Sequence, residues 1–426
     1  MGDSLPILVI GGGIAGLTTA IEAAEVGCEV LLVEKAPFLG GRVAAMNQYF
    51  PKLCPPACGL EINFKRLKNN SRITLLTQAE VETITRAPEN QEMTRLPYQV
   101  AVKVSPRFVT SACTLCGACA EACPAERPDE RDFGLSRTKA VYLPRTVAFP
   151  ATYVIDRAAC KQGCRACVDA CAYGAVDLNQ QPQRRTFRVA AVVAATGWAP
   201  YDASRLDNLG FGKYPNVVTN VILERLAAPD GPAGGKILRP SDGQPPATVA
   251  FIQCAGSRDE NHLPYCSAVC CAASLKQATY IRALYPDARI TIFYIDIRTP
   301  GRLEDFYATV AADHKIELIK GKAAKVEEDP ATSDLLVTAE DVSSGKKSAH
   351  RVDLLILATG IVPQTAGLPK DFPRDEFGFL ANSPTNTGLY SAGCVRRPAE
   401  VSSAVQEATG AALKALQCVV RSAHHG

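Results

Sequence analysis

Between residues 5 and 35 the chain runs through the blocks LPILVI, GGGIAG, LTTAIEAAEVG and CEVLLVEK. The outer blocks are continuously apolar, while the third carries Leu17, Ile21 and Ala24 at helical spacing and closes on Gly27, a residue suited to a helix C-cap. The pattern predicts strand, turn, helix, strand, the opening of a βαβ unit. Further apolar strands are expected at FRVAAVVAATG (187–197), TVAFIQC (248–254), ARITIFYID (288–296) and VDLLILATG (352–360), with a helix over roughly 267–285 and a long amphipathic helix from near Val401. The two strands that end in ATG, at Gly197 and Gly360, mark the exits of two nested α/β units. From Pro106 to about Gln183 the texture changes to clustered cysteines among Pro, Arg and Asp, which reads as a small inserted domain.

Composition narrows the class. With 426 residues, 47% hydrophobic and 21% charged, the chain is an ordinary globular protein of roughly three domains. No apolar run approaches the roughly 18 residues that span a bilayer, and the start MGDSLPILVIGGG lacks a basic segment and a cleavage site, so a cytoplasmic location is expected. Thiols stay reduced there, and the 17 cysteines are therefore read as metal ligands or redox groups rather than disulfides. A net charge of +3 and a single Trp give no sign of a nucleic-acid partner.

Gly11, Gly13 and Gly16, with Gly12 and Ala15 between them, form GxGxxG directly after a strand and at the start of a helix, and Glu34 ends the next strand. The glycines allow a tight turn and close approach to a pyrophosphate on the helix N-terminus, and Glu34 is placed to bind ribose hydroxyls. Together with Lys35, Gly40, Gly41 and Arg42 of EKAPFLGGR and the turn at Thr196 and Gly197, this segment resembles the FAD-binding half of the two-dinucleotide-fold, thioredoxin reductase-like flavoproteins. The resemblance implies FAD, with Val81 as a backbone contact to adenine and Gly393 near the ribityl chain. Cys394 follows Gly393 where that class usually has Asp, which sets the C-terminal flavin contact apart.

In flavoproteins that use nicotinamide, a second GxGxxG opens the inner α/β unit. Here that position reads FIQCAGSRDENHLPYCSAVCCAASLKQA, with no glycine fingerprint. Cys254, Cys266, Cys270 and Cys271 instead fall at a strand end and a helix start, where nucleotide phosphates would rest, and four thiolates at a helix N-terminus are suited to an iron–sulfur cluster. No NAD(P)H site is expected.

The insert carries the most specific motif. Cys113, Cys116, Cys119 and Cys123-Pro124 match C-x2-C-x2-C-x3-C-P, and Cys160, Cys164, Cys167 and Cys171 follow as C-x3-C-x2-C-x3-C. In two-cluster ferredoxins the fourth cysteine of each run serves the other cluster. Cys113, Cys116, Cys119 and Cys171 are therefore assigned to one [4Fe-4S] centre and Cys160, Cys164, Cys167 and Cys123 to a second, giving three clusters with the non-standard site. Cys54 and Cys58, in a loop after the flavin-binding GGR, leave a redox-active pair, cluster ligation and a structural role open. The expected division is 1–105, 186–245 and 366–426 for the FAD domain, 106–185 for the two-cluster ferredoxin insert and 246–365 for the thiol-bearing second unit.

The Cys, Cys, Cys-Cys segment resembles the A subunits of heterodisulfide reductases, and that resemblance picks out Lys276 as a lysine approaching flavin N5. NQYFPKLCPPACGLEINFKRLKNN, TKAVYLP, YPNVVTNVILERLAAPDGP and FYIDIRTPGRLEDF resemble the A subunits of quinone-interacting membrane-bound oxidoreductase (Qmo) complexes, a branch of the same flavoproteins. The resemblance implies a second flavoprotein of the same type, a haem-containing membrane subunit, only indirect membrane contact, and electron exchange between the menaquinone pool and adenylylsulfate (APS) reductase in dissimilatory sulfur metabolism. A soluble heterodisulfide reductase-like complex acting on disulfides or lipoyl-bound sulfur is the competing implication.

Overall fold

The computed structural model describes residues 5–86, 97–145, 147–342, 345–381 and 387–423. The chain forms two compact units: Met1–Glu130, Ser136–Trp198 and Pro363–Gly426 make the first, Arg131–Leu135 and Ala199–Val362 the second.

In the first unit a parallel sheet runs in the order Leu389–Ser391, Ala191–Ala194, Ile7–Ile10, Val30–Val33, Ile73–Leu76. Both faces of its central strand are covered. Ile7 and Val9 enter the core shared with the helices Ile14–Glu25 and Val401–Ala423, while Leu8 and Ile10 enter the core beneath an antiparallel sheet of Gln183–Val189, Tyr98–Val104 and Ala79–Arg86. Two-sided burial is why this strand is continuously apolar. Alanines let the two helices approach closely, and Thr19 Oγ1 donates across to the carbonyl of Ala408 at 3.3 Å as well as to its own turn at Ala15, 2.9 Å.

The expected 187–197 strand is two strands. Gln183–Val189 pairs with Tyr98–Val104 in the antiparallel sheet, and Ala191–Ala194 joins the parallel one. The first is mostly exposed and the second fully buried, so the backbone changes sheet at Ala190.

The insert has its own small core of Val109, Ala125, Ala140, Val141, Ile155, Ala175 and Val176, together with Cys119, Cys123 and Cys167. Two single-turn helices, Ala118–Glu121 and Ala166–Asp169, each carry the third cysteine of a run.

The second unit is built on a seven-stranded sheet in the order Val217–Thr219, Leu354–Thr359, Thr248–Ala255, Arg289–Tyr294, Ile316–Glu328, Leu335–Asp341, Lys346–Val352. The first five strands are parallel and the last two turn back antiparallel. The expected boundary at residue 246 is corrected to Ala199: the strand Val217–Thr219 pairs with Leu355, Ile356 and Leu357, and its helix Asn220–Ala227 buries Ile222, Leu223 and Leu226 in this unit's core. Among the described residues no helix is long and apolar enough to cross a membrane.

Candidate functional site

The glycine fingerprint is a cradle whose shape depends on missing side chains. Gly11 lies at φ +105°, and a Cβ there would stand 2.4 Å from the carbonyl oxygen of Ala195. A Cβ on Gly16 would stand 1.8 Å from the Gly11 oxygen, so helix and strand meet through bare backbone. At Gly13 the nearest atom to such a Cβ is the Cα of Gly41, 3.9 Å away, which leaves the helix N-terminus open. That end has no side-chain cap and no acidic residue in its first turn, so its N–H groups and positive dipole end are available to a phosphate.

Glu34 closes the cradle. Its carboxylate accepts from the backbone N–H of Gly12 and from that of Ala36 at 2.6 Å, and burial holds its pKa above the usual carboxylate value despite those donors. The following loop is tied in by Gly40, whose N–H donates to the Gly12 carbonyl at 2.8 Å. Arg42 donates Nε to the Trp198 carbonyl at 2.6 Å and lies 4.7 Å from that indole ring. Ala79, two residues before Val81 on the same strand, donates its N–H to the Glu34 carbonyl at 2.9 Å. Lys35 is exposed and paired with Glu80. Thr196 Oγ1 donates to the Gln364 carbonyl, and Gly197 takes φ +73°. Gly393, at φ +74°, packs against Ala15, and Cys394 turns its thiol to the Ala399 carbonyl at 3.3 Å, where burial raises its pKa. These features fit a dinucleotide with its pyrophosphate at the start of the Ile14–Glu25 helix.

In the insert, Cys113, Cys116, Cys119 and Cys171 line one small pocket together with Val109, Tyr153 and Tyr173. Cys171 comes from the second run and the other three from the first. Burial and the neighbouring thiols of Cys113 and Cys171 push Cys119 up to about 11. For Cys171, backbone N–H groups led by that of Ala175, at 3.3 Å, outweigh burial and lower the pKa. Burial raises Cys160, with Cys123 and Cys164 adding to the effect and Arg157 opposing it; burial, Cys160 and Cys123 likewise raise Cys167. The fourth cysteine of each run thus acts electrostatically on thiols of the other run: Cys171 on Cys119, and Cys123 on Cys160 and Cys167.

Arg107 fastens this insert to the loop after Glu34. It donates to the carbonyls of Pro37 at 2.6 Å, Thr152 at 2.8 Å and Tyr153 at 3.0 Å, and burial lowers its pKa to about 10.

In the second unit, Cys254 ends the Thr248–Ala255 strand, and Cys270 and Cys271 open the Cys270–Leu284 helix. Burial and the other thiols push Cys254 up to about 11 and raise Cys270 further, with Cys254, Cys271 and Cys266 all acting on it. The four thiols therefore act on one another electrostatically, while among the described residues no three His, Cys, Asp or Glu side chains stand close enough to hold a single metal ion. Once deprotonated, partly desolvated thiolates at a helix N-terminus would suit a cationic iron–sulfur core, which would offset the charge that burial disfavours. Gly360 permits the packing behind them, since a Cβ there would meet the hydroxyls of Ser257 and Ser267 at 2.3 and 2.8 Å.

Lys276 lies on the same helix and is 4% exposed. Its ammonium pairs with Glu224 at 3.0 Å, and the same carboxylate accepts from Gln277 Nε2 at 2.8 Å. It is a buried, partnered cation. Cys54 is half-buried, whereas Cys58 is exposed in the first turn of the Pro56–Lys68 helix rather than in a loop. Both thiols raise the pKa of Tyr49, after burial, and Tyr49 forms a backbone bridge to Cys54.

Residues 6–98 match the FAD dependent oxidoreductase family and residues 106–126 the 4Fe-4S binding domain. The chain is 37% identical over 427 residues to the A subunit of the H(2):CoB-CoM heterodisulfide,ferredoxin reductase of Methanothermobacter thermautotrophicus, covering 96% of this chain and 63% of that protein. It is 38% identical to the second iron-sulfur A subunit of the CoB--CoM heterodisulfide reductase of Methanopyrus kandleri, again over 96% of this chain and 63% of the relative. Its homologues are heterodisulfide reductase A subunits. The chain spans less than two thirds of the length of these relatives. Thioredoxin reductases of Lactococcus lactis and T. acidophilum share the fold at TM-scores of 0.54 and 0.53, with 13% and 14% identity and coverage of 98% of this chain and 99% of theirs in both cases. The α/β, thioredoxin reductase-like fold with a 4Fe-4S domain is therefore that of the sequence expectation, and the chain joins an FAD-dependent oxidoreductase module to an iron–sulfur one.

Sequence reasoning missed Arg107, Glu224, Arg258, Asp296 and Arg298. Arg107, Glu224 and Arg258 act through partners distant in sequence, and the Asp296–Arg298 pair, though two residues apart, gains its meaning only from Arg258, 38 residues before Asp296.

Proposed function

We propose that this chain is the FAD and iron–sulfur electron-transfer subunit of a membrane-associated complex that links the menaquinone pool to adenylylsulfate reductase in dissimilatory sulfur metabolism. The electron-transfer part is carried by one observation: Cys254 at the strand end, Cys270 and Cys271 at the helix start and Cys266 in the loop between them stand where a dinucleotide fold of the second kind would bind nicotinamide phosphates. The pocket lined by Cys113, Cys116, Cys119 and Cys171, three cysteines of one run and one of the other, supports the ferredoxin-type reading of the insert.

When bound, FAD supplies two-electron chemistry and each cluster supplies single-electron chemistry, so the chain is equipped to convert between the two. Its residues have separate tasks. Gly11, Gly13 and Gly16 leave the helix N-terminus open to the pyrophosphate, Glu34 takes the ribose, and Arg42 fixes the following loop on Trp198. Twelve cysteines hold three clusters: Cys113, Cys116, Cys119 and Cys171; Cys123, Cys160, Cys164 and Cys167; Cys254, Cys266, Cys270 and Cys271. Lys276, held by its ion pair with Glu224, is the cation assigned to flavin N5.

The partner assignment rests on the stretches from NQYFPKLCPPACGLE to FYIDIRTPGRLEDF, which resemble the quinone-linked branch. The 37% identity to heterodisulfide reductase subunits favours a second reading, a soluble complex acting on disulfides or lipoyl-bound sulfur. Anaerobic purification of the native complex separates them. A second flavoprotein of this type and a haem-containing membrane subunit should co-purify, whereas a haem-free soluble assembly would replace the first reading with the second.

A further inference from the structure

The four thiols of the second unit are faced by two arginines joined through one carboxylate. Asp296 accepts from Arg258 on Oδ1 and from Nε and Nη2 of Arg298 on Oδ2, at 3.3 and 3.2 Å. Arg258 lies four residues after Cys254 and acts on its thiol electrostatically, as Arg298 does on Cys266. The backbone N–H of Arg298 is directed at Cys271, whose Sγ lies 3.7 Å from the Asp296 carbonyl oxygen. One thiol, Cys271, thus touches the backbone of this Arg–Asp–Arg group, and Cys254 and Cys266 lie within its electrostatic reach.

We propose that Arg258, Asp296 and Arg298 form a positioning collar that sets the reduction potential of the cluster held by Cys254, Cys266, Cys270 and Cys271. The inference rests on the reading that these cysteines hold a cluster.

Guanidinium suits the task because it stays charged and offers several N–H groups in a fixed plane. The single carboxylate between two guanidiniums orients both and cancels only one of the two charges, so the group presents net positive charge to the thiolates. The backbone is committed to this arrangement. Arg258, Cys254 and Ala268 all lie in the left-handed region, at φ +56°, +56° and +60°, and the Arg258 N–H closes the loop on the Tyr265 carbonyl at 3.1 Å. Positive charge and N–H donors at cluster sulfurs favour the more negative, reduced state and so raise the potential. The side chains of Arg258 and Arg298 are 26% and 50% exposed, so salt screens the effect in part.

The test is an anaerobic EPR-monitored redox titration of the full chain, with iron content measured in parallel, on Arg258→Gln, Arg298→Gln, their double variant and the corresponding Lys substitutions. The signal that Cys266→Ser abolishes is expected to move to lower potential in the double Gln variant by roughly tenfold in the reduction equilibrium, about 59 mV for one electron. Iron content should stay native, the ferredoxin-type signals should not move, the Lys variants should fall between, and the shift should shrink as salt is raised. An unmoved potential at full iron content overturns the proposal. Loss of that cluster in the Gln and Lys variants alike also overturns it, because the arginines would then only hold the site together. A native chain with about eight irons would instead remove the cluster reading itself.

Discussion

Gly13→Ala and Gly16→Ala separate binding from folding at the flavin cradle. Gly13 caps its helix at φ −71° and ψ −177°, extended backbone that any residue adopts, and an added Cβ would have only the Gly41 Cα, at 3.9 Å, within contact range. The protein itself tolerates the methyl, and the stiffer unfolded chain contributes about 0.4–1 kcal/mol of stability. The methyl does fill the mouth of the helix N-terminus assigned to the pyrophosphate. Overfilling a close-packed contact costs about 1–3 kcal/mol, or roughly 5- to 150-fold in FAD affinity. At Gly16 the new Cβ stands 1.8 Å from the Gly11 oxygen and 2.9 Å from its carbon, so backbone must move by more than about 1 Å and the same cost falls on the fold. FAD titration of apoprotein by flavin fluorescence, alongside thermal melting, reads both quantities. Gly13→Ala should melt at or above the native temperature yet bind FAD weakly, while Gly16→Ala should lose both. Native FAD affinity in Gly13→Ala would refute the placement of the pyrophosphate.

Cys171→Ser should abolish the centre of Cys113, Cys116 and Cys119 while sparing that of Cys160, Cys164 and Cys167, lowering iron by about four per chain; EPR showing the opposite loss would undo the crossed assignment. Arg225 is 1% exposed and holds Asp132 and Asp230 at 2.9 Å each. Arg225→Met should destabilise the second unit by about 3–5 kcal/mol, roughly 6–20 °C by calorimetry, and a drop under about 2 °C would contradict this. Cys119 and Cys254, raised to about 11, keep their protons in the metal-free fold where an unfolded thiol with pKa near 9 has lost its own. The folded state then binds more protons, so metal-free protein should lose stability as pH rises from about 9 to 11. Cluster-loaded protein, whose thiolates carry no proton, should not show that loss in pH-dependent melting curves.

The flavin cradle was legible because its signal is local: strand, glycines, helix and Glu34 lie within one βαβ unit, and the chemistry depends on backbone that glycine exposes. The 4Fe-4S domain was legible for a related reason, since its cysteine spacing lies within one short stretch of sequence. What escaped depends on distant partners. The break at Ala190 hides inside an unbroken apolar run, although the mostly exposed Gln183–Val189 strand and the fully buried Ala191–Ala194 strand differ in period. The strand Val217–Thr219 has only three residues and is defined by pairing with Leu355 to Leu357, so a Pro- and Gly-rich neighbourhood obscured where the second unit begins. Lys276 was singled out by resemblance alone, because its counter-charge, Glu224, comes from another helix.

The measurement that bears most directly on the three-cluster reading is the iron and flavin content of the anaerobically purified chain. Three clusters and one flavin predict about 12 Fe and one FAD per chain. About eight Fe with one FAD would leave the thiols of Cys254, Cys266, Cys270 and Cys271 without a cluster and contradict the claim that they take the place of a nicotinamide site.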